Sequence, residues 1–361
     1  MTELSIVLIS KNQAWNISRL IESVLKEAEC VASHEIILVD SASTDETVEV
    51  ASRYPVNILR LRPGQKVSPA IGRYVGYQRT QGEFVLFLDG DTQLVPGWLA
   101  LAFRVMREIP NAGAVTGRVI NLPTSAAKVH GEAPIPAALT SPSRQVRWGS
   151  YGGGGAAMYR RSVLERVGTF NPNLNADEEP ELGFRIRQAG YMILELDYPI
   201  VRHYNDAPVA LSSMLNRRKR NFHLGSGQSA RGHLGSKLFW PWIIERPWGL
   251  AAALLLALGV GSLLVGLLTG HFVWLGLWSL GISLLIAYVS FRKRSVRGAL
   301  VAAFNWLFLA EGFVKGFLMK PVPPEKFHME VEEIVERHPN EQGSTPHFSE
   351  TPEPRLQYSP D

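Results

Sequence analysis

The chain is poor in cysteine, which limits both its covalent structure and its expected compartment. Cys30 is the only cysteine among 361 residues, so no disulfide can form within the chain. A chain without disulfides fits a reducing compartment such as the cytosol. The first residues also lack a signal-peptide pattern, because residues 1–3 lead directly into a short strand-like run. We therefore expect the N-terminal part of the chain to fold in the cytosol.

Two glycine-rich nucleotide-binding motifs are missing. A dinucleotide-binding fold would show G-x-G-x-x-G after its first strand, whereas residues 10–15 read SKNQAW. The chain contains no G-x-x-x-x-G-K-[ST] motif either. The glycine-rich run at 151–155 has no lysine after it, and we interpret it as backbone that comes close to a ligand. A nicotinamide oxidoreductase and a P-loop nucleotidase are therefore both disfavoured.

The third absence is charge, because no Asp, Glu, Lys or Arg occurs between Arg246 and Arg292. Two spans of about 20 residues fit into this stretch, and we predict a transmembrane hairpin at 247–291, with spans at 248–268 and 272–290. The turn at 269–271 carries no Lys or Arg, whereas basic residues flank the hairpin on both sides. Because basic flanks favour the cytosolic side, we expect the preceding domain on the cytosolic face of the inner membrane.

A third apolar stretch, at residues 297–320, collects polar and small residues on one side of its helical wheel, among them Glu311 and Lys315. A span would place both charges in hydrocarbon, so an interfacial amphipathic helix is favoured, with a third transmembrane span as the alternative. Residues 321–361 are rich in Pro, Glu, Ser and Thr and show no apolar periodicity. This composition predicts a disordered tail.

Residues 1–240 alternate between strand-like and helix-like patterns, which predicts an α/β domain. Strands are expected at 5–10 and 35–39, and helices at 17–26 and 44–54. Ser43, with Glu46 three positions later, matches a capping box at the start of the second helix. Asp40 lies at the carboxyl end of the second strand, where open α/β sheets place ligand-binding groups. Asp40 is therefore a candidate for a ligand site.

Asp89-Gly90-Asp91 follows the apolar run at 84–88. Two carboxylates there could hold a divalent cation against a pyrophosphate, and the glycine permits a tight turn. Acidic pairs are common in turns at strand ends, so the tripeptide by itself is better explained as a solvated turn. The surrounding chain has to decide between these interpretations.

Four blocks of sequence together resemble the successive signatures of family-2 glycosyltransferases. They are SIVLISKN at 5–12, VDSASTDET at 39–47, GEFVLFLDGD at 82–91, and GGAAMYRR at 154–161, which leads through VGTF at 167–170 to DEEPELGFR at 177–185. Their order and spacing match too, over about residues 4–205. The resemblance implies a GT-A-type nucleotide-diphospho-sugar transferase fold with a mostly parallel mixed sheet, here followed by C-terminal transmembrane helices.

The resemblance also implies a donor site. The residue matching Asp40 would bind the base or ribose, and those matching Asp89 and Asp91 would hold ribose and metal, with Asp91 the first choice for Mg²⁺ or Mn²⁺. His203 would complete the metal site, since a neutral imidazole is a suitable ligand beside carboxylates. The donor-binding residues implied are Asp40, Arg73, Asp89 and Ser10, with Arg73 in the segment that approaches the phosphates.

The acidic block after Asn175 is expected to supply the catalytic base that takes the proton of the acceptor hydroxyl. Relatives usually show Glu-Asp here, with the second residue as the base, whereas this chain has Glu178 and Glu179. Glu179 is one methylene longer than aspartate, so Glu178 and Asp177 stay open as alternatives. Alternatively, the acidic cluster could act only by interacting favourably with the dipole at the start of a helix.

The expected function is metal-dependent transfer of a sugar from a nucleotide-diphosphate donor to a lipid-linked, saccharide or other membrane-proximal acceptor, with inversion and in cell-envelope polysaccharide synthesis. Polysaccharide synthases of the family carry Q-x-x-R-W, but residues 228–232 read QSARG, which predicts single rather than processive addition. Residues 121–148 are the expected acceptor-side loop. A nucleotidyltransferase of similar fold and a non-catalytic membrane-anchored binding protein are the alternatives, and no nucleic acid is expected as a partner.

Overall fold

The computed structural model describes residues 2–128, 146–148, 155–205 and 211–335, and in these residues the strands form one mixed sheet. The strands are β1 (Leu4–Ser10), β2 (His34–Asp40), β3 (Asn57–Leu61), β4 (Phe84–Asp89), β5 (Thr92–Leu94), β6 (Ala112–Leu122), β7 (Val146–Trp148), β8 (Ala156–Arg160), β9 (Met192–Tyr204) and β10 (Val331–Val335). The first six helices, which cover the sheet, are α1 (Ile17–Ala28), α2 (Thr47–Ala51), α3 (Pro69–Gln78), α4 (Trp98–Glu108), α5 (Arg161–Val167) and α6 (Glu178–Gln188).

A helical region follows the sheet. It consists of α7 (Leu211–Lys219), α8 (Gly225–His233), α9 (Phe239–Glu245), α10 (Trp248–Thr269), α11 (Val273–Lys293) and α12 (Val296–Leu318). Short 3₁₀ turns lie at Thr124–Lys128, Phe222–Leu224 and Pro324–Lys326. Most of the expected acceptor-side loop and all but Gly155 of the glycine-rich run lie outside the described residues.

The strand order is β10-β3-β2-β1-β4-β8-β6-β9-β5, with β7 beside β9. Strands β3, β2, β1 and β4 are parallel, and so are β6 and β9, whereas the other neighbours are antiparallel. The predicted mixed α/β sheet is thus confirmed. The parallel register places Ser10 opposite Asp40 and Ile9 opposite Asp89. Three strands therefore deliver their terminal residues to one edge of the sheet.

Strand β1 is buried along its whole length, which explains its continuous apolar sequence. Leu4, Ile6 and Leu8 pack into a core with α1 and α4 on one face of the sheet. Val7 and Ile9 pack into a second core with α3, α5 and α6 on the other face. Helices on both faces thus hold the carboxyl edge of the sheet in place.

The predicted capping box is wrong. Helix α2 begins at Thr47 and Glu46 occupies the N-cap position, with no side-chain capping bond. The Ser43 hydroxyl instead donates to the Asp40 carboxylate and accepts a hydrogen bond from the Asn12 amide at 2.8 Å. Ser43 thus holds two loops together at the edge of the sheet. Its hydroxyl makes these bonds instead of capping α2.

Three helices, α10, α11 and α12, are long and apolar enough to cross a membrane by length and composition, with mean hydropathies of 2.4, 1.8 and 1.3. The first two coincide with the predicted hairpin. The small residues of α12 face the catalytic domain, because a Cβ added at Gly312 would lie 2.0 Å from the carbonyl oxygen of His223, and one at Gly316 2.3 Å from that of Leu224. Gly312 and Gly316 belong to the polar and small side of the helical wheel that suggested an interfacial helix. Their small size is explained by this close packing.

The prediction of a disordered tail over 321–361 is wrong for residues 321–335. Strand β10 pairs antiparallel with β3 and extends the sheet. Before it, the Tyr74 hydroxyl donates to the Pro324 carbonyl at 3.1 Å, and the rings of Tyr74 and Phe327 pack edge to face. A five-residue strand with two glutamates has little apolar pattern of its own, and the open edge of β3 supplies its hydrogen bonds. Residues 336–361 lie outside the described part.

Removal of residues 321–361 is expected to destabilise the catalytic domain, because it exposes the β3 edge and uncovers Tyr74. A chain ending at residue 320 should melt about 5–10 °C lower, for a loss of about 2–3 kcal/mol of unfolding free energy. Thermal unfolding in detergent measures this. A chain ending at residue 336 keeps β10 and is the matched control; equal melting temperatures for both truncations would contradict the prediction.

Candidate active site

Asn16 holds the Asp89-Gly90-Asp91 turn in place. Its side-chain amide is buried just before α1 and donates to the carbonyl oxygens of Gly90 at 2.9 Å and Thr92 at 2.8 Å. The turn is further fixed by the Gly90 amide, which donates to the carbonyl oxygen of Ile9 at 2.8 Å. Sequence inspection missed Asn16 because its partners lie 74 and 76 positions away. The available signal was its place shortly after the first motif block, at 5–12, and just before a helix.

Arg73 on α3 joins the turn to the acidic pair at the start of α6. Its guanidinium donates to Asp89 Oδ1 at 2.7 Å, to Glu178 Oε1 at 2.7 Å and to Glu179 Oε1 at 3.2 Å. The Arg73 side chain is only 2% exposed. Burial by itself would lower its pKa, but the three carboxylates raise it, so the cation is retained. Arg73 thus binds protein carboxylates, and the approach of its segment to donor phosphates stays a prediction.

Gly155 occupies the space between Asp89 and Glu179. Its amide donates to Glu179 Oε1 at 2.9 Å, and its carbonyl accepts from the Asp89 amide at 3.0 Å. Its φ is +86°, and a Cβ added there would lie 2.4 Å from Asp89 Oδ2. Only glycine fits both constraints. Gly155 thus comes close to Asp89, whereas the approach of the glycine-rich run to a ligand stays a prediction.

Asp91 and His203 form the second half of the site. Pairing of β5 with β9 sets Thr92 opposite His203, which brings His203 Nε2 to 3.3 Å from Asp91 Oδ2. His203 Nδ1 lies 3.1 Å from Asn121 Oδ1, and the hydrogen bond to Asp91 raises the pKa of His203. Asp91 Oδ1 is buried and has no hydrogen-bond partner among the described residues.

The metal ligands predicted from sequence are thus only partly assembled. No group of three His, Cys, Asp or Glu side chains able to hold a metal occurs in the described ranges, because Asp89 turns toward Arg73. The chemistry of the donors nevertheless suits a divalent cation: Asp91 offers an unsatisfied carboxylate oxygen, and His203 an imidazole nitrogen.

Asp40 and Ser10 lie side by side at the ends of β2 and β1. Asp40 is fully buried, and its carboxylate accepts from the Ser43 amide at 2.8 Å and from the Ser43 hydroxyl. The Ser10 hydroxyl is buried without a hydrogen-bond partner in the described part of the chain. In this arrangement Asp40 holds the loop at 40–43, and its contact with a base or ribose stays a prediction.

The three candidate bases face two directions. Glu178 and Glu179 point toward Arg73 and the Asp89 turn, whereas Asp177 bonds Arg246 at 3.2 Å, on the side of the apolar helices. Burial raises the pKa of Glu179, and Arg73 and the Gly155 amide oppose this rise. Glu181, one turn into α6, pairs with Arg185 at 2.8 Å and does not reach the site.

Replacement of Asn16 by alanine is expected to loosen the Asp89-Gly90-Asp91 turn, because two buried carbonyl oxygens lose their donor. Loss of such a donor costs about 1–3 kcal/mol, and we expect a decrease of about tenfold or more in the affinity for a nucleoside diphosphate, measured by calorimetry. The control is Asn111→Ala, which removes an amide-to-carbonyl bond (Asn111 to Gly190, 3.1 Å) remote from the turn. Equal effects of the two substitutions would argue against this role for Asn16.

Comparison with known proteins supports the same family. Residues 5–168 match the family model described as Glycosyl transferase family 2. Polypeptide N-acetylgalactosaminyltransferase 6 of Mus musculus is 23% identical over 230 residues, which cover 55% of this chain and 37% of that protein. Poly(ribitol-phosphate) beta-N-acetylglucosaminyltransferase TarS of Staphylococcus aureus is 32% identical over 95 residues, which cover 25% of this chain and 16% of that protein. The chain therefore spans less than half the length of these relatives.

Two solved structures share the fold. Mannosyltransferase PcManGT from Pyrobaculum calidifontis, in complex with GDP-Man and Mn²⁺, aligns with a TM-score of 0.54 at 18% identity, covering 86% of this chain and 87% of that one. Residues 1–349 of S. aureus TarS, in complex with UDP-GlcNAc, align with a TM-score of 0.50 at 17% identity, covering 72% and 80%. At this level of identity the likeness concerns the fold alone. The family match assigns residues 5–168 to glycosyl transferase family 2, and the two solved structures show a GT-A fold for the domain that contains them.

Proposed function

We propose that this protein transfers a sugar from a nucleotide-diphosphate donor to a lipid-linked or other membrane-proximal acceptor. One observation carries the proposal: Arg73 bridges Asp89 of the D-x-D turn to Glu178 and Glu179, with contacts of 2.7 to 3.2 Å. One side chain, Arg73, thus contacts both the expected donor-binding turn and the pair of candidate bases. A transfer reaction requires the donor and the base to be this close together.

The chemistry we propose is a single displacement with inversion and one addition per acceptor. The acceptor hydroxyl oxygen forms a bond to the anomeric carbon while the bond from that carbon to the diphosphate oxygen breaks. Glu179 takes the hydroxyl proton, and the nucleoside diphosphate leaves with the bonding electron pair. A buried carboxylate with a raised pKa suits this role, because it holds a proton more readily than an exposed one.

Asp91, His203 and Asp89 are the residues that would hold Mg²⁺ or Mn²⁺. A divalent cation bound there would supply Lewis-acid neutralisation of the charge that develops on the departing diphosphate. Asp89 would contribute once its bond to Arg73 is exchanged, whereas Asp91 Oδ1 is already unsatisfied. The Mn²⁺ and GDP-Man of the Pyrobaculum neighbour and the UDP-GlcNAc of TarS support a divalent metal and a nucleotide-sugar donor.

The location we propose is the cytosolic face of the inner membrane, with α10 and α11 as a transmembrane hairpin and α12 at the interface. A contact of α12 with the hairpin supports this placement, because Phe313 of α12 packs against Gly249 in the first turn of α10. An enzyme confined to the bilayer would meet an acceptor confined there too. This is the main support for a lipid-linked acceptor.

The test is binding of UDP, GDP, dTDP and CMP with and without Mn²⁺, followed by identification of the released product. A glycosyltransferase should bind one nucleoside diphosphate more tightly with Mn²⁺ and release it from its nucleotide sugar. Asp91→Asn should lower the Mn²⁺-dependent part of the affinity about tenfold or more, whereas the exposed Glu49→Gln should leave it unchanged. Release of pyrophosphate would indicate the alternative nucleotidyltransferase, and no nucleotide binding at all would indicate a non-catalytic membrane protein.

A further inference from the structure

A cavity of about 380 Å³ lies between the catalytic domain and the first apolar helices. Arginines from two elements line it, namely Arg217 and Arg218 of α7 and Arg246 just before α10. Trp248 of α10 and Phe308 of α12 form part of its apolar wall. The cavity thus sits where the domain meets the proposed membrane surface.

The cavity suits an anion. Its acidic residues are Asp177 and Glu245, and Glu245 bonds Arg187 on the side of the domain at 2.6 Å. Arg246 bonds Asp177 at 3.2 Å and Arg218 bonds Glu311 at 2.7 and 2.8 Å, whereas Arg217 forms no ion pair within 4.0 Å among the described residues and acts on Asp177 at longer range. Arginine guanidinium groups bind phosphate oxygens in a bidentate way, so Arg217, with Arg246 nearby, favours a phosphate group.

A separate apolar groove of about 180 Å³ lies between α10, α11 and α12, close to the cavity. The cavity is lined by Gly249 of α10 and Asn305 of α12, and the groove by Ala252 and Ala302, which lie about one helical turn further along the same two helices. A cationic cavity followed by an apolar groove matches a molecule with an anionic head and a hydrocarbon tail.

We infer that this cavity and groove bind the lipid phosphate part of a lipid-linked saccharide acceptor, with the phosphate between Arg217 and Arg246, the hydrocarbon tail in the groove, and the attacking hydroxyl on the saccharide. The inference rests on the proposed function and gives its acceptor a chemical class. Asp177 lines the cavity at the N-cap of α6, whose first residues, Glu178 and Glu179, face Arg73, so the phosphate would lie next to the start of α6.

The experiment uses the full chain in phosphatidylcholine nanodiscs and a long-chain alkyl phosphate monoester that carries a photo-reactive diazirine on its tail. We expect saturable labelling of α10, α11 or α12, read by peptide mass spectrometry, and little labelling by the corresponding neutral alcohol. Phosphatidylglycerol at the same mole fraction and inorganic phosphate should both compete poorly. Equal labelling by the alcohol, or full competition by phosphatidylglycerol, would overturn the inference in favour of a general lipid contact.

Matched variants locate the site. Arg217→Gln and Arg246→Gln should each weaken binding of the phosphate lipid about tenfold, because each removes a charge-assisted hydrogen bond. Arg292→Gln, at an exposed basic residue outside the cavity, is their control. Ala303→Phe should fill the groove and displace the tail, whereas Ala251→Phe on the exposed side of α10 should not. Equal losses in a variant and its control would overturn the site.

Nucleotide binding is measured on the same nanodiscs, because it separates this inference from the proposed function. Wild-type protein and all five variants should bind the nucleoside diphosphate with Mn²⁺ equally well. Nucleotide binding without binding of the phosphate lipid would refute only the acceptor site. Absence of nucleotide binding in the wild-type protein would refute the proposed function itself.

Discussion

Glu179→Gln is expected to abolish sugar transfer while the protein stays folded and still binds the donor nucleotide. The substitution keeps an oxygen that can accept from the Gly155 amide, and Arg73 keeps Asp89 and Glu178 as partners. What is lost is the ability to take a proton from the acceptor hydroxyl, which contributes about 10²- to 10⁴-fold to the rate. The measurement is kcat for transfer, together with calorimetric binding of the nucleoside diphosphate.

Glu178→Gln is the matched control, because Glu178 also bonds Arg73, whereas the Gly155 amide donates to Glu179. We expect a much smaller decrease in kcat for this variant, and a small one for Asp177→Asn, whose carboxylate faces Arg246. If Glu178→Gln were inactive and Glu179→Gln active, Glu178 would be the base. Full activity in both Glu178→Gln and Glu179→Gln would show that neither carboxylate acts as the base.

Arg73→Met is expected to have the largest effect on stability. The guanidinium is 2% exposed and is shared by Asp89, Glu178 and Glu179. Removal of one partner from a buried ionic group leaves the other charges uncompensated, which costs about 3–5 kcal/mol. Denaturant unfolding should show this loss, and nucleotide binding should fall with it, because Asp89 would be repelled by the two glutamates.

The control for Arg73→Met is Arg79→Met, at the end of the same helix. Arg79 is 50% exposed and pairs with Glu333, and exposed ion pairs of this kind contribute about 0–1 kcal/mol. A second variant separates charge from packing: Arg73→Met combined with Glu178→Gln should recover part of the stability, because one uncompensated charge is removed. A stability equal to wild type in Arg73→Met alone would contradict the role we assign to this cluster.

The site residues that could be predicted from the sequence are those that lie in short, contiguous motifs. Asp89, Asp91, Glu178 and Glu179 stand in motifs, and the hairpin is visible as a long stretch without charge. The parts that could not be predicted depend on contacts between distant positions. Asn16 reaches the D-x-D turn across more than 70 positions, and Arg73 meets the acidic pair across more than 100. No local pattern distinguishes such an arginine from one that binds a ligand.

The tail illustrates the same limit. Residues 331–335 read VEEIV and cannot form a stable strand without a partner, but the hydrogen-bonding edge of β3 is available to them. The small residues of α12 likewise suggest an amphipathic surface, although Gly312 and Gly316 are in contact with the domain at 223–224. In both segments the partner, and not the local composition, decides the structure.

By itself, the sequence determined the α/β class of the first domain, the order of its motifs and the apolar character of α10 and α11, because these follow from periodicity and composition along the chain. Only the tertiary structure decided that Arg73 serves carboxylates, that Gly155 is required beside Asp89, and that residues 331–335 complete the sheet. The physical reason is that burial and charge compensation are properties of a three-dimensional neighbourhood. A guanidinium binds whichever carboxylates the fold places within about 3 Å of it.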